Sequence, residues 1–193
     1  MKPIIKTLSV RVRDKHAKLL RQWAFECNQI WNAANSESNE FSWVPVPEVG
    51  YVNCGTSEFD LNKSLIGVRK ERGFTIGAAT VQSVIGQHAK SRKQFKKNKL
   101  NWRCSGGARC ALGWIPFKSA GVKWVNGQVR FCGHYFKVWD SYGLSQFDLG
   151  TGCFSEDSRG RWYFNTTVKV EPEIRQAEGD QIGIDLGLKT TAT

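Results

Sequence analysis

Acidic charge and long apolar stretches are both scarce in this sequence. Its 193 residues hold 17 acids against 28 lysines and arginines, which gives a formal net charge of +11. Such an excess favours a polyanionic partner, above all nucleic acid. No stretch approaches the roughly 20 apolar residues that cross a bilayer, and the first residues lack the apolar core of a signal peptide. We therefore expect a cytoplasmic protein with no membrane partner.

Closely paired cysteines are also missing. The six cysteines form neither a CxxC zinc ribbon nor the short spacings of a disulfide framework, so we predict reduced thiols. A zinc site of three cysteines and one histidine is the alternative, although its first two members are separated by more residues than a zinc finger usually has. Its ligands would be Cys104, Cys110, Cys132 and His134. Zinc is not expected in this segment.

Hydrophobic spacing predicts one strand followed by three helices. Alternation over residues 4–13 indicates a half-buried strand, and Asp14 is placed to cap the next element. Apolar side chains at three- and four-residue steps over 15–35 indicate an amphipathic helix. Prolines and glycines then predict an irregular loop over 36–56. Ser57 and Asp60 resemble a capping box, and a third helix is expected to bury Val81, Val84, Ile85, His88 and Phe95.

Short β-prone runs dominate after about residue 100. Asn126-Gly127 stands between two of them and predicts a hairpin, because both turn residues must tolerate positive φ. A second hairpin is expected from 147–154 and 162–170, with Phe164, Thr166, Val168 and Val170 on one face. Residues 171–180 are predicted to be a linker before a fresh strand, Ile182–Leu186.

A dense basic run occupies residues 90–103. Cations of this density neutralise phosphates and release counterions, which gives salt-sensitive affinity with little sequence preference. A solvated helix end is the alternative. The candidate nucleic-acid-binding cations of this run are Lys90, Arg92, Lys93, Lys96, Lys97, Lys99 and Arg103.

Aromatic and basic residues alternate farther along the chain. Rings of this kind stack on splayed bases while lysines and arginines hold the backbone, although packing in the core is the alternative for any one of them. The set comprises Trp114, Phe117, Lys118, Lys123, Trp124, Arg130, Tyr135, Phe136, Lys137 and Trp139. We count Lys118 and Lys123 among the nucleic-acid-binding candidates.

Asp185 lies inside the apolar strand Ile182–Leu186. A buried carboxylate is unfavourable unless a cation or hydrogen-bond donors accompany it, so a catalytic metal ligand is one interpretation. Paired divalent ions held by carboxylates activate water in phosphodiester hydrolysis. The alternative is a turn contact at the end of the strand.

The run IGIDLGLKTTAT resembles the first RuvC motif of the TnpB family, transposon-encoded RNA-guided DNA nucleases related to type V CRISPR effectors. The segment Trp114-Ile115-Pro116-Phe117-Lys118 is also similar to that family. The resemblance implies an α+β fold in which an OB-like wedge barrel is interrupted by an inserted helical recognition lobe. The barrel would take 1–13 and 101–173, the lobe 14–100, and 174–193 would be a linker and the first strand of an RNase H-like RuvC domain.

The resemblance also implies partners: a guide RNA from the transposon end or a CRISPR-like locus, and target double-stranded DNA. Gln82 is the residue carried over as a reader of the adjacent DNA motif, because an amide recognises an adenine edge. His88 and Ser91 depart from the leucine and alanine typical of the family. Asp185 would be a catalytic Mg²⁺ ligand. The family's other catalytic acids lie well downstream, so this chain alone is expected to bind without cutting, and a polypeptide that supplies the rest of RuvC is a further candidate partner.

Two other functions fit some of the same residues. The run Ile182–Gly187 also resembles the phosphate-loop strand of actin-like and Hsp70-type ATPases, but there the motif opens the domain, whereas here a long basic region precedes it. A nuclease-dead regulator would make the same RNA and DNA contacts without cleavage. An intact Asp185 argues against a decayed active site.

Overall fold

The computed structural model describes residues 3–38, 43–48, 50–53, 56–97 and 99–171. These residues form an α+β fold, the class that the sequence predicts. The helices are α1 (Ala17–Glu37), α2 (Glu58–Ser64), α3 (Val68–Glu71) and α4 (Ala78–Phe95). The strands are β1 (Ile4–Arg11), β2 (Trp43–Val46), β3 (Gly50–Asn53), β4 (Trp114–Phe117), β5 (Val122–Val125), β6 (Gln128–Phe131), β7 (His134–Phe136), β8 (Gly152–Glu156) and β9 (Trp162–Val170). None of the described helices combines the length and hydropathy of a membrane span.

The first and last described strands pair in one antiparallel sheet. Its order is β1-β9-β8-β4, and Ile4 of β1 lies opposite Val170 of β9. A second antiparallel sheet has the order β5-β6-β7, and β2 pairs with β3 in a separate hairpin. A bridge between Val12 and Val138 links the first two sheets beyond β1. The described strands do not close into a hydrogen-bonded barrel.

Phenylalanines fill the space between the two larger sheets. The cluster consists of Phe117, Phe131, Phe136, Phe154 and Phe164. Phe154 is central, with ring centroids 5.2 Å from both Phe136 and Phe164. Trp23 of α1 meets Phe131 edge-on at 5.7 Å, so this helix shares its core with the sheets.

Local signals in the sequence predicted several elements correctly. Ser57 Oγ accepts from the Asp60 backbone N–H at 3.2 Å and the Asp60 carboxylate accepts from the Ser57 N–H at 3.0 Å, which confirms the capping box. Asn126 and Gly127 have φ values of 49° and 72° in the turn between β5 and β6. The predicted buried face of β9 is also confirmed for Phe164, Thr166 and Val168.

Other expectations need correction. Asp14 does not cap α1, because its carboxylate pairs with Arg11 at 3.0 Å and the helix begins after a 3-10 turn. The predicted loop over 36–56 contains the β2–β3 hairpin. The strand predicted from 147 begins only at 152, since a 3-10 turn over Leu144–Gln146 precedes it and the Asp140 carboxylate accepts from the Leu144 N–H at 2.9 Å.

A buried carboxylate on α1 fixes the start of α4. Glu26 accepts hydrogen bonds through Oε2 from the backbone N–H groups of Thr75 and Ile76, at 3.0 and 2.9 Å. The Thr75 hydroxyl donates to Oε1 at 3.0 Å. These bonds satisfy a charged group that burial would otherwise destabilise. They hold the segment before Gly77, the N-cap of α4, against α1.

Candidate nucleic-acid interface

A cleft of about 560 Å³ lies between α4 and the four-stranded sheet. Three of the sequence-predicted nucleic-acid-binding residues, Gln82, Lys90 and Lys118, line it together. The rest of its polar and aromatic lining includes Gln87, Trp114, Asn165 and Thr167. The fold therefore unites side chains from three separate parts of the sequence.

Helical periodicity explains why α4 presents these residues to the cleft. Gln82, Gly86 and Lys90 recur every four residues, so they lie on one face of the helix. A side chain at Gly86 would place its Cβ 2.8 Å from a carboxylate oxygen of Glu58. The Glu58 carboxylate is the end of an exposed, flexible side chain that can move aside, so this contact does not by itself require a glycine, which weakens the helix interior.

The β4 strand brings Lys118 to the opposite wall. Ile115 and Phe117 are buried in the core, whereas Lys118 follows the strand and is exposed. Pro116 has no N–H to donate, and β4 is an edge of the described sheet, where proline is tolerated. The Pro-Phe-Lys segment thus ends an edge strand and places a cation at the rim of the cleft.

The lining of the cleft carries more positive than negative charge. Lys90 and Lys118 face one acid, Glu58, among the described residues that form it. Burial raises the pKa of the Cys153 thiol, so this lining group is neutral near pH 7. Amides and hydroxyls supply the remaining polar groups. The combination suits a ligand that carries phosphates and also bases, whose edges donate and accept hydrogen bonds.

The lysines of the basic run are exposed to solvent. No acid occurs in the sequence between Glu71 and Asp140, so nothing in that stretch neutralises them. The exposed members are Lys90, Lys93, Lys96, Lys97 and Lys99, together with Lys118 and Lys123 outside the run. Lys123 belongs to β5 and lies beside Arg130 in a separate small pocket. It is not part of the cleft.

Arg92 requires a correction, because its side chain is only 1% exposed. Its Nη1 donates to the carbonyl oxygen of Thr56 at 3.2 Å, which ties α4 to the residue before Ser57, the N-cap of α2. A phosphate has no access to this guanidinium in the described fold. The expectation that Arg92 contacts nucleic acid directly is therefore not compatible with its burial.

Asparagines on α1 hold the end of the basic run. Asn32 exchanges two hydrogen bonds with the backbone of Arg103, at 2.9 and 3.0 Å. Asn35 does the same with Leu100, at 2.8 Å for both bonds. Asn28 Oδ1 accepts from Arg103 Nε at 2.6 Å. Side-chain amides of the helix thus satisfy the backbone N–H and carbonyl groups of the segment that contains Leu100 and Arg103. The Arg103 side chain is half-buried there.

The interleaved aromatics divide between core and surface. Phe117 and Phe136 are buried, and Trp114 and Trp124 are half-buried. Tyr135 and Trp139 are exposed. The Arg13 guanidinium lies over the Trp139 ring, with its carbon 3.2 Å from the ring centroid. Sequence alone does not distinguish these environments, because aromatic residues serve both.

The described cysteines are all free thiols. Cys104 and Cys110 are exposed and form an isolated backbone bridge, while the His134 ring packs edge-on against Trp23 at 5.3 Å. In the described ranges, no three or more His, Cys, Asp or Glu residues are grouped so that they could hold a metal. Asp185 lies outside the described residues.

Comparison with known proteins provides no assignment. The chain matches no protein-family model, and no curated protein has significant sequence similarity to it.

Proposed function

We propose that this chain is the guide-RNA-binding and target-DNA-binding N-terminal part of a TnpB-like RNA-guided DNA nuclease. The observation that carries the proposal is the cleft that unites Gln82, Lys90 and Lys118. In this proposal, β1 and β4–β9 form the wedge-type module, whose described strands leave its barrel open, and α1–α4 form the helical lobe inserted into it.

The two kinds of side chain in the cleft have different tasks in this proposal. Lys90 and Lys118 hold phosphates from opposite walls, which fixes the position of a nucleic acid without reading its sequence. The exposed amide of Gln82 makes a bidentate contact with an adenine in the duplex beside the target. Pairing with the guide RNA supplies the rest of the specificity.

Asp185, outside the cleft residues, is the catalytic residue in this proposal. Asp185 supplies one carboxylate to a Mg²⁺ site, and further acidic ligands outside this sequence complete it. The activity proposed for the chain itself is binding.

The first test is to purify the chain from its host and to sequence the nucleic acid that accompanies it. We expect a discrete RNA copied from the end of a neighbouring transposon. A random mixture, or no RNA, would contradict guide binding.

A second test uses the recovered RNA and a matching DNA duplex whose flanking positions are randomised. Gln82→Ala is expected to relax the preference at one flanking position, by about 1–3 kcal/mol of discrimination. Lys90→Gln and Lys118→Gln should weaken binding evenly across sequences. Each should also reduce by about 1 the salt slope, which is the slope of the logarithm of the binding constant against the logarithm of the salt concentration. Lys70→Gln removes an exposed lysine on α3, outside the cleft, and serves as the matched control.

A further inference from the structure

A second cleft, of about 440 Å³, opens at the end of α4. Phe95 and Trp102 line it and are 61% and 56% exposed. The sequence predicted that Phe95 is buried, which is wrong, because α4 ends at this residue and Lys96 turns the chain into the left-handed region with φ 51°. Two large rings thus stand in solvent beside one cavity.

The fold holds Trp102 in place from both sides. The Trp31 indole N–H donates to the carbonyl oxygen of Asn101 at 3.2 Å. The Asn32 amide exchanges hydrogen bonds with the backbone of Arg103. The residues on either side of Trp102 are therefore fixed to α1. A ring on an ordered segment loses little conformational entropy when it binds a ligand.

Positive charge surrounds the same cavity. Lys97 is exposed in its lining, and the Arg103 guanidinium lies 5.7 Å from the Trp31 ring. Lys93, Lys96 and Lys99 are exposed nearby in sequence. The described lining of this cleft holds no acid. Exposed rings combined with exposed lysines match the chemistry of a flat, anionic ligand.

We propose that this cleft binds one unpaired nucleotide of a single strand, whose base stacks on Phe95 or Trp102 and whose phosphate contacts Lys97. The inference rests on the proposed function and adds a subsite for an unpaired base. Base stacking tolerates every sequence, because each base has a π face. A paired base is already stacked between its neighbours, so a duplex cannot use these rings.

The test measures binding of the full chain to a short unstructured RNA that carries 2-aminopurine, a base whose fluorescence is quenched by stacking. The substitution that removes the ring carrying the base, Phe95→Ala or Trp102→Ala, is expected to weaken binding about fivefold to 150-fold and to relieve the quenching. Trp102→Phe keeps a stacking ring and should restore most of the affinity. A DNA strand of the same sequence is measured in parallel, and the tighter of the two identifies the strand that occupies the cleft.

Phe59→Ala is the matched control, because Phe59 is a 76% exposed helical phenylalanine that lines a different groove. It should leave single-strand affinity unchanged, and all variants should bind the annealed duplex within about twofold of one another. If Phe95→Ala and Trp102→Ala bind the single strand as Phe59→Ala does, the subsite is refuted while salt-sensitive binding by the lysines stands. If the unaltered chain binds no nucleic acid, both proposals fail.

Discussion

The lysines and the arginines of the segment 90–103 lie in different environments. Its lysines are exposed, whereas Arg92 is buried against Thr56 and Arg103 is half-buried among asparagines of α1. The planar guanidinium reaches several acceptors at once, while the ammonium group is strongly hydrated and stays in water. The same run of positive charge thus serves two purposes. Its arginines join elements of the fold, and its lysines remain available to a partner.

Arg92 and Lys93, adjacent residues on α4, should differ most in how much their substitution lowers the free energy of unfolding. Arg92→Ala is expected to lower the free energy of unfolding by about 3 kcal/mol, because it opens a cavity and leaves the Thr56 carbonyl without this donor. Lys93→Ala, one residue along, should change it by less than about 0.5 kcal/mol. Urea denaturation followed by circular dichroism measures both values.

Nucleic-acid binding should depend on Lys93 and not on Arg92, the reverse of their expected effects on stability. Lys93→Ala is expected to reduce the salt slope of nucleic-acid binding, and Arg92→Met, which keeps the apolar stem, should leave that slope unchanged in folded protein. Equal losses of stability in Arg92→Ala and Lys93→Ala would contradict the division between buried arginine and exposed lysine.

Sequence patterns predicted those parts of the fold whose signal lies within a few residues. The capping box at Ser57 and the turn at Asn126-Gly127 depend on their neighbours alone, and both are present. The packing of Asn32 and Asn35 could not be predicted, because polar residues on a helix normally face solvent. Their partners lie 71 and 65 residues away in the sequence.

The candidate site was predictable in composition but not in arrangement. Charge density identified the exposed lysines, since a solvated cation needs no specific partner. It did not identify Arg92 as buried, because its acceptor on Thr56 is 36 residues distant. Nor did any pattern indicate that Gln82, Lys90 and Lys118 share one cleft, which follows from the packing of α4 against β4.

His88, a second fully buried basic residue of α4, extends the comparison to pH. His88 is fully buried, its Nε2 lies 3.3 Å from Asn35 Oδ1, and no described residue bonds its Nδ1. Asn35 Oδ1 already accepts from the Leu100 N–H, so His88 Nε2 is assigned as the donor and Nδ1 is left unpaired. Burial and, to a lesser extent, the charge of Arg92 lower the pKa of His88 to about 4.

This depressed pKa predicts a loss of stability on acidification. Between about pH 6.5 and 4 the unfolded chain binds a proton at His88 that the folded chain does not, so unfolding becomes easier as the pH falls. The loss should reach about 2–3 kcal/mol near pH 4 and be absent above pH 7. His88→Leu should remove this part of the pH dependence in urea denaturation. Parallel curves for the two proteins across that range would contradict the assignment.

Of the substitutions expected to alter the free energy of unfolding, that of Lys96 should have the smallest effect, and it should raise that free energy rather than lower it. The left-handed φ of 51° at Lys96, at the end of α4, suits glycine better than lysine. Lys96→Gly is expected to raise the free energy of unfolding by up to about 1 kcal/mol while it weakens nucleic-acid binding by the loss of one cation. Lys97→Gly removes the same charge without relieving a positive φ, so it should weaken binding without a gain in stability. If Lys96→Gly gains stability and binds as tightly as the unaltered chain, this exposed lysine has no role in binding a polyanion.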